Sequence, residues 1–276
     1  MARIRESQFS PPDKLYKYRP LSMDARKEIL RERLSDILLN DRLYFPTRLE
    51  FNDPFDCRIP ISWDGLTMDE MERKLLEVYR RKPPVGLRGS VEDYVKERCT
   101  DGSIEELTRT NIGRQVTEDR MNKLRVLCLC ECPDNILMWS HYGNNHEGVC
   151  LEFSTRNGGY FSGAVSVKYS EIYPRLNVAM DSISLADGMI RTKAASWAYE
   201  REWRIINQEA DSLHFFPSNC LSGVVLGCQI ASENEDLMVK VLSQRRSPVT
   251  LYRAIKASGE FALRVEAIRV VGPPLM

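Results

Sequence analysis

Arg125-Val126-Leu127-Cys128-Leu129-Cys130-Glu131 is where the pattern of this 276-residue chain changes. Before it, from about Ile61 to Leu124, the chain is charged and helical in pattern. Ser/Thr-x-x-Asp/Glu starts stand at Thr67 to Glu70, Ser90 to Asp93 and Ser103 to Glu106, with Pro83-Pro84 and Asp101-Gly102 as breaks. From it onward, strand-like runs recur at 125–131, 148–153, 165–169, 201–206, 223–226, 249–253 and 261–268. Short helices are expected between them at 135–142, 181–194 and 232–242. Strands clustered after a helical stretch predict an α+β fold rather than a regular βαβ alternation. The expectation is one domain over 1–276, a mixed or antiparallel sheet core with 61–124 as a helical insertion.

Upstream, Leu15-Tyr16-Lys17-Tyr18-Arg19 alternates as a short strand does, and Pro20 ends it because proline cannot donate to a ladder. Ile29-Leu30, Leu34 and Ile37-Leu38 recur at helical spacing across 24–39, ahead of a left-handed stop at Asn40-Asp41 and a strand over 42–45. Residues 46–60 are irregular, and Asn52-Asp53-Pro54-Phe55 within them carries dense turn chemistry.

Lys plus Arg and Asp plus Glu each count 39, so no global charge excess marks a nucleic-acid or anionic-membrane binder, and any such site must be a local patch. Apolar residues make up 43% and charged residues 28%, the composition of a chain with a sizeable core. No run approaches the ~18 apolar residues of a membrane span, and the start lacks a signal-peptide stretch, which predicts a cytoplasmic protein without a membrane partner. Its 8 cysteines are then expected as reduced, mostly buried thiols. Cys128, Cys130 and Cys132 alternate along one strand, about 7 Å apart, too far to share a tetrahedral zinc ion, so no metal site is expected there. The phosphate-loop, dinucleotide-fold and nucleophile-elbow glycine motifs are absent from the sequence.

Four segments in order, LYKYRP at 15–20, LYFPTRLEFNDPFDC at 43–57, NILMWSHYGNNHEGVCLEF at 135–153 and WAYEREWRI at 197–205, resemble the bacterial domain-of-unknown-function 2971 family. VVLGCQIASENE at 224–235 fits its closing part, so the resemblance covers roughly 14–268. The motif order is also similar to that of ADP-ribosyltransferases, which set a basic residue on a first strand, a hydroxyl or aromatic residue on a middle element and a Glu-x-Glu pair on a later strand. Arg19, then Ser140 or Tyr142, then Glu200-Arg201-Glu202 take those places here, without a Ser-Thr-Ser strand and with the helical stretch lengthening the spacing.

That second resemblance implies NAD as the substrate and a macromolecule or nucleobase as acceptor, nucleic acid among the candidates, in a toxin or phage-defence effector. Glu202 is then the carboxylate that stabilises an oxocarbenium-like state, and Glu200 orients or deprotonates the acceptor. Arg19 supplies a fork for pyrophosphate or ribose, Trp139 and Tyr142 stack on a ring, and Ser140 and Asp53 complete the site. In a strand, Glu200, Glu202 and Arg204 share one face, while Tyr199, Trp203 and Ile205 face the core. The same pattern equally describes an outer sheet face with a local ion pair, and the aromatic helix equally a core element. Two further readings stand beside the transferase: a nuclease or phosphodiesterase with Mg²⁺ on Asp53, Glu200 and Glu202, and a noncatalytic nucleotide sensor. Convergence of Arg19, Asp53, Tyr142 and Glu202 on one pocket is the expectation that the fold tests.

Overall fold

A computed structural model describes residues 10–21, 28–104, 106, 122–157, 159–207 and 211–273. The chain divides into two compact units, one of 1–46, 125–167 and 195–276, the other of 47–124 and 168–194.

The first unit is built on an eight-stranded mixed sheet, which bears out the α+β expectation. Its strands are β1 (Lys14–Arg19), β2 (Arg125–Cys130), β3 (Val149–Ser154), β4 (Val165–Ser166), β5 (Glu202–Asn207), β6 (Leu221–Leu226), β7 (Val249–Lys256) and β8 (Leu263–Val271). The order across the sheet is β8-β7-β6-β3-β1-β2-β5-β4, with only β6 and β7 parallel. β1 pairs with β3 over all six residues, from Lys14 opposite Ser154 to Arg19 opposite Val149. With β2 it shares the single pair Tyr16 and Cys130.

Alternation along the strands makes two cores. Leu15, Leu127, Leu129, Leu151, Phe153, Trp203, Val224 and Leu251 form one face, covered by Leu34, Ile37 and Leu38 of α1 (Glu28–Asn40) and by Met238 and Leu242 of a helix over Ser232–Leu242. Tyr16, Tyr18, Cys130, Cys150, Val225 and Ala254 form the other, packed on Met138 and Trp139 of the helix Ile136–Tyr142. Both faces are therefore buried, which is why the central strands read as near-continuous apolar runs.

α1 ends at Asn40, and Asp41, at φ 51°, takes the left-handed conformation that the sequence assigns to this turn. The following strand, Arg42–Tyr44, joins Leu213–Phe215 in a separate ribbon rather than the main sheet. The run expected as one strand over 165–169 is two: β4 in the main sheet, and Lys168–Ser170, which pairs with Thr192–Ala194 in the second unit.

The second unit holds α2 (Met68–Arg81) and α3 (Val91–Thr100) around Trp63, Leu75, Tyr79, Val95 and Ile104. Both start where the sequence places them. Thr67 and Glu70 form a capping box, and the Ser90 hydroxyl accepts from the Asp93 amide at 3.0 Å. The third expected start, at Ser103, runs into residues outside those described. A further helix, Ser182–Arg191, ends three residues before the expected 194, where the chain turns into the short strand Thr192–Ala194. Among the described residues no helix is long and apolar enough to cross a membrane.

Candidate functional site

β5 runs antiparallel to β2 with Glu202 opposite Cys130 and Arg204 opposite Cys128, so both side chains fall on the face of Tyr16 and Tyr18. The sequence leaves that face open as solvent or cleft. It is neither. Arg204 is fully buried and Glu202 is 4% exposed. Arg204 donates from Nε to Glu202 Oε1 at 2.8 Å and from Nη2 to Oε2 at 3.0 Å. A two-pronged pair of this kind compensates charges whose burial would otherwise cost several kcal/mol each, even after the surroundings relax.

Glu200 is not on the strand. It closes a 3-10 turn over Ala195–Glu200, and Arg201, at φ 45°, turns the chain before β5 begins at Glu202. A strand-wide alternation from Glu200 to Arg204 therefore does not exist, and Tyr199 leaves the face of Trp203: it packs with Tyr16 and Trp139, while Trp203 lies in the opposite core. Glu200 is buried too, and the Tyr142 hydroxyl donates to its Oε1 at 2.8 Å.

The helix Ile136–Tyr142 is capped by Asn135. The Asn135 side-chain oxygen accepts from the Met138 amide at 3.0 Å, and its Nδ2 donates to the Tyr199 carbonyl at 3.0 Å. One amide thus starts the helix and ties it to the 3-10 turn. His141 Nδ1 meets the Tyr199 hydroxyl at 3.0 Å, a second tie at the surface. Trp139 is fully buried, edge-on to Tyr18 at 5.0 Å, with its indole N–H donated to the Pro133 carbonyl at 2.8 Å. It is a packing residue.

Ser140 Oγ donates to the Ile136 carbonyl at 3.0 Å and lies 3.2 Å from His146 Nε2. A hydroxyl has one proton. With that proton on the Ile136 carbonyl, the hydroxyl is placed to accept from the Nε2–H tautomer of His146. Burial and the positive charge of Lys256 lower the His146 pKa, which favours the neutral ring. His146 sits at φ 70° after Asn144 at 48° and Asn145 at 52°, three left-handed residues in a row. Close backbone packing holds this turn. A side chain at Gly227 would meet the His146 carbonyl at 2.0 Å, and one at Gly148 the Arg19 carbonyl at 2.3 Å.

Arg19 and Glu202 lie on opposite faces. Arg19 pairs with Val149, a residue of the Leu15 core, two positions from Lys17 and one from Tyr18, which faces the other way. The expected single pocket is therefore corrected: β1 carries an odd-numbered and an even-numbered face, and the strand position of Arg19 puts it behind the sheet as seen from Glu202. Asp53 belongs to the second unit, where its Oδ1 accepts from the Phe55 amide at 2.9 Å in the turn that the sequence assigns to it.

β2 stops at Cys130, so Cys132 leaves the alternation. Its thiol accepts from Arg201 Nη1 at 3.1 Å and its carbonyl from the Tyr18 hydroxyl at 2.9 Å. All eight cysteines are free thiols, and burial pushes those of Cys130 and Cys150 up. Among the described residues no group of three or more His, Cys, Asp or Glu is placed to hold a metal ion.

Two features escaped the sequence reading. Glu152, 4% exposed in the middle of β3, accepts from Lys14 at 3.0 Å, Tyr16 at 3.1 Å and Ser222 at 2.8 Å. Its signal was a lone acid within Val149-Cys150-Leu151-Glu152-Phe153. In the second unit, Lys193 and Asp56 form a buried pair at 3.5 Å on the wall of a cavity of about 110 Å³, whose lining includes Phe55 and Tyr173.

Residues 138–205 match the family model described as a protein of unknown function, DUF2971. The resemblance read from the sequence is thereby shown over this span, which runs from within the helix of Trp139 to Ile205 and contains Tyr142, Glu200, Glu202 and Arg204 but neither Arg19 nor Asp53. No curated protein and no solved structure matches the chain, and the likeness to ADP-ribosyltransferases is not confirmed.

Proposed function

We propose that the protein cleaves the nicotinamide N-glycosidic bond of NAD and passes ADP-ribose to an acceptor, a macromolecule or nucleobase. The observation that carries this reading is the pair of carboxylates on the face of Tyr16 and Tyr18, Glu202 under the Arg204 fork and Glu200 under the Tyr142 hydroxyl. Bond cleavage develops positive charge on the ribose, and a fixed carboxylate in a low-dielectric setting stabilises it. Glu202, held in one orientation by the Arg204 fork, is assigned the ribose hydroxyl, while Glu200, with Tyr142, handles the acceptor proton. Arg19 has no part in this site.

The test is nicotinamide release from NAD by the purified full-length protein, with and without nucleic-acid and protein acceptors. Tyr142→Phe keeps the ring packed and removes only the hydroxyl on Glu200, so it should fold as the wild type does and turn over at least tenfold more slowly. Glu202→Gln should lose 10²-fold or more, the loss typical of one preorganised electrostatic contact. A wild-type protein that releases no nicotinamide sinks the reading. Cleavage of nucleic acid with Mg²⁺, lost in Glu202→Gln, would move the site to the phosphodiesterase class.

A further inference from the structure

The second unit holds a cavity of about 110 Å³ whose lining residues all belong to that unit. Two short segments make its mouth. In the turn of 53–56, the Phe55 amide donates to Asp53 Oδ1 at 2.9 Å and the Asp56 amide donates to the Asp53 carbonyl at 3.3 Å. In the other segment, Ser170 Oγ donates to the Ile172 carbonyl at 2.8 Å and accepts from the Ile172 amide at 3.1 Å, which fixes the loop that carries Glu171 and Tyr173. Phe55 is 62% exposed, Ile172 80% and Tyr173 48%, and all three line the cavity. The Phe55 and Tyr173 rings meet edge to face, with centroids 6.1 Å apart. Large apolar side chains gathered at the rim of a concavity, outside both apolar clusters of their unit, mark a binding surface rather than a core.

Charge gives this mouth its sign. Lys193 is the one cation among the lining residues, and it is answered within the wall by Asp56 at 3.5 Å. Asp53 is different. It is 5% exposed, and its second carboxylate oxygen, Oδ2, is buried without a hydrogen-bond partner. The bond from the Phe55 amide holds this carboxyl at one ring of the mouth, and the other ring feels it: burial first, and then the charge of Asp53, raises the Tyr173 phenol. Glu171 adds an exposed second acid at the rim. An anion entering here would meet two carboxylates, and a neutral ligand would leave the buried one unanswered. A cation is attracted both by the carboxylates and by the faces of the two rings.

We propose that this cavity binds a small organic cation, a primary alkylammonium or alkylguanidinium, with its head toward Asp53 and Glu171 and its apolar stem against Phe55 and Tyr173. The size agrees. A cavity of about 150 Å³ takes a benzene ring, so one of about 110 Å³ admits a charged head with a short stem and leaves any remainder over the exposed rings. The site belongs to the second unit, stands apart from the proposed transferase chemistry and does not rest on it.

The experiment is calorimetric titration of the full chain with n-butylammonium and agmatine at low ionic strength, against sodium chloride of matched ionic strength, with 1-butanol and butyrate as the neutral and anionic counterparts. Both cations should bind saturably where butanol and butyrate do not. Asp53→Asn keeps an oxygen for the Phe55 amide and removes the charge, so it should melt no lower than the wild type and bind either cation roughly tenfold or more weakly, the loss of one hydrogen bond to a charged group. Glu171→Gln, at the exposed rim, should weaken binding less. Tyr173→Phe should bind as the wild type does, and Tyr173→Leu, which loses the ring, should weaken agmatine more than butylammonium, because a planar guanidinium stacks on an aromatic face. Tyr142→Phe, in the first unit, should leave both affinities unchanged. Agmatine bound more tightly than Nα-acetylarginine amide supports a free amine as the occupant, and the reverse order supports an arginine side chain of a partner peptide. No saturable binding by the wild type, butanol bound as tightly as butylammonium, or unchanged affinity in a folded Asp53→Asn overturns the proposal.

Discussion

Glu202 and Arg204 are two residues apart on one strand face and hold each other in a place where neither could stay alone. Removing one partner of a buried pair leaves an uncompensated charge and typically costs about 3–5 kcal/mol, whereas replacing both with apolar groups of similar volume is often neutral. Glu202→Gln should therefore lower the urea midpoint sharply, and Glu202→Met with Arg204→Met should recover most of it. A double variant as unstable as the single would show that the pair contributes more than mutual compensation. Lys17 gives a separate signature in pH. Its folded-state pKa of about 7 lies below the ordinary 10.5, so between these values the unfolded chain holds a proton that the folded lysine has released. Stability from this residue accordingly rises as pH increases through that window. The raised thiols of Cys130 and Cys150 act in the opposite sense only above their ordinary 9.0, which leaves pH 7 to 9 as the range to measure. Lys17→Met should flatten the rise there, and an unchanged slope would show that Lys17 is not its source.

At the scale of elements, termini decide most of what holds the first unit in register. The last carbonyls of α1 have no partner within the helix. Arg245, 2% exposed, supplies one: it donates to the Leu38 carbonyl at 2.6 Å, to the Ile37 carbonyl at 3.2 Å and to Asp41 Oδ1 at 3.0 Å. Arg245→Met should cost about 3–5 kcal/mol in denaturant unfolding, since it strands Asp41 and two carbonyls at once. A loss below about 1 kcal/mol would mean that water replaces the arginine. Nothing local in Ser243-Gln244-Arg245-Arg246 announces this contact, because its partner lies some two hundred residues earlier. The contrast with the rest is physical. Strands β1, β2 and β5, the caps at Thr67 and Ser90 and the stop at Asp41 are legible because each rests on alternation or on a bond within four residues. The face of Arg19 relative to Glu202 is not, since it depends on which residue of β1 pairs with which residue of β2 and β3. The position of Glu200 is not legible either: an arginine at positive φ breaks the alternation, and only glycine or asparagine would have advertised such a turn.

At the scale of the molecule, two units with separate cores predict separate openings. The first rests on a sheet buried on both faces, its central strand β3 covered from Val149 to Phe153. The second rests on the small cluster of Trp63, Leu75, Tyr79, Val95 and Ile104 and on a smaller one of Ile59, Leu176 and Met189. Buried apolar area sets the free energy of cooperative opening, at roughly 25 cal/mol per Å², so the second unit should open first. The chain supports this order, because the second unit is made of two segments, 47–124 and 168–194, whose ends return to the first. It can unfold while the strands around it remain paired, whereas loss of the sheet would release both segments. Native-state hydrogen exchange should accordingly give the amides of Leu75, Tyr79 and Val95 one common opening free energy. Those of Leu151, Phe153 and Val225 should share a higher one, equal to that of global unfolding. Leu75→Ala should then lower the first value by about 2–5 kcal/mol and leave the second nearly unchanged. Equal protection in both sets, falling together in Leu75→Ala, would instead make the two units a single cooperative body.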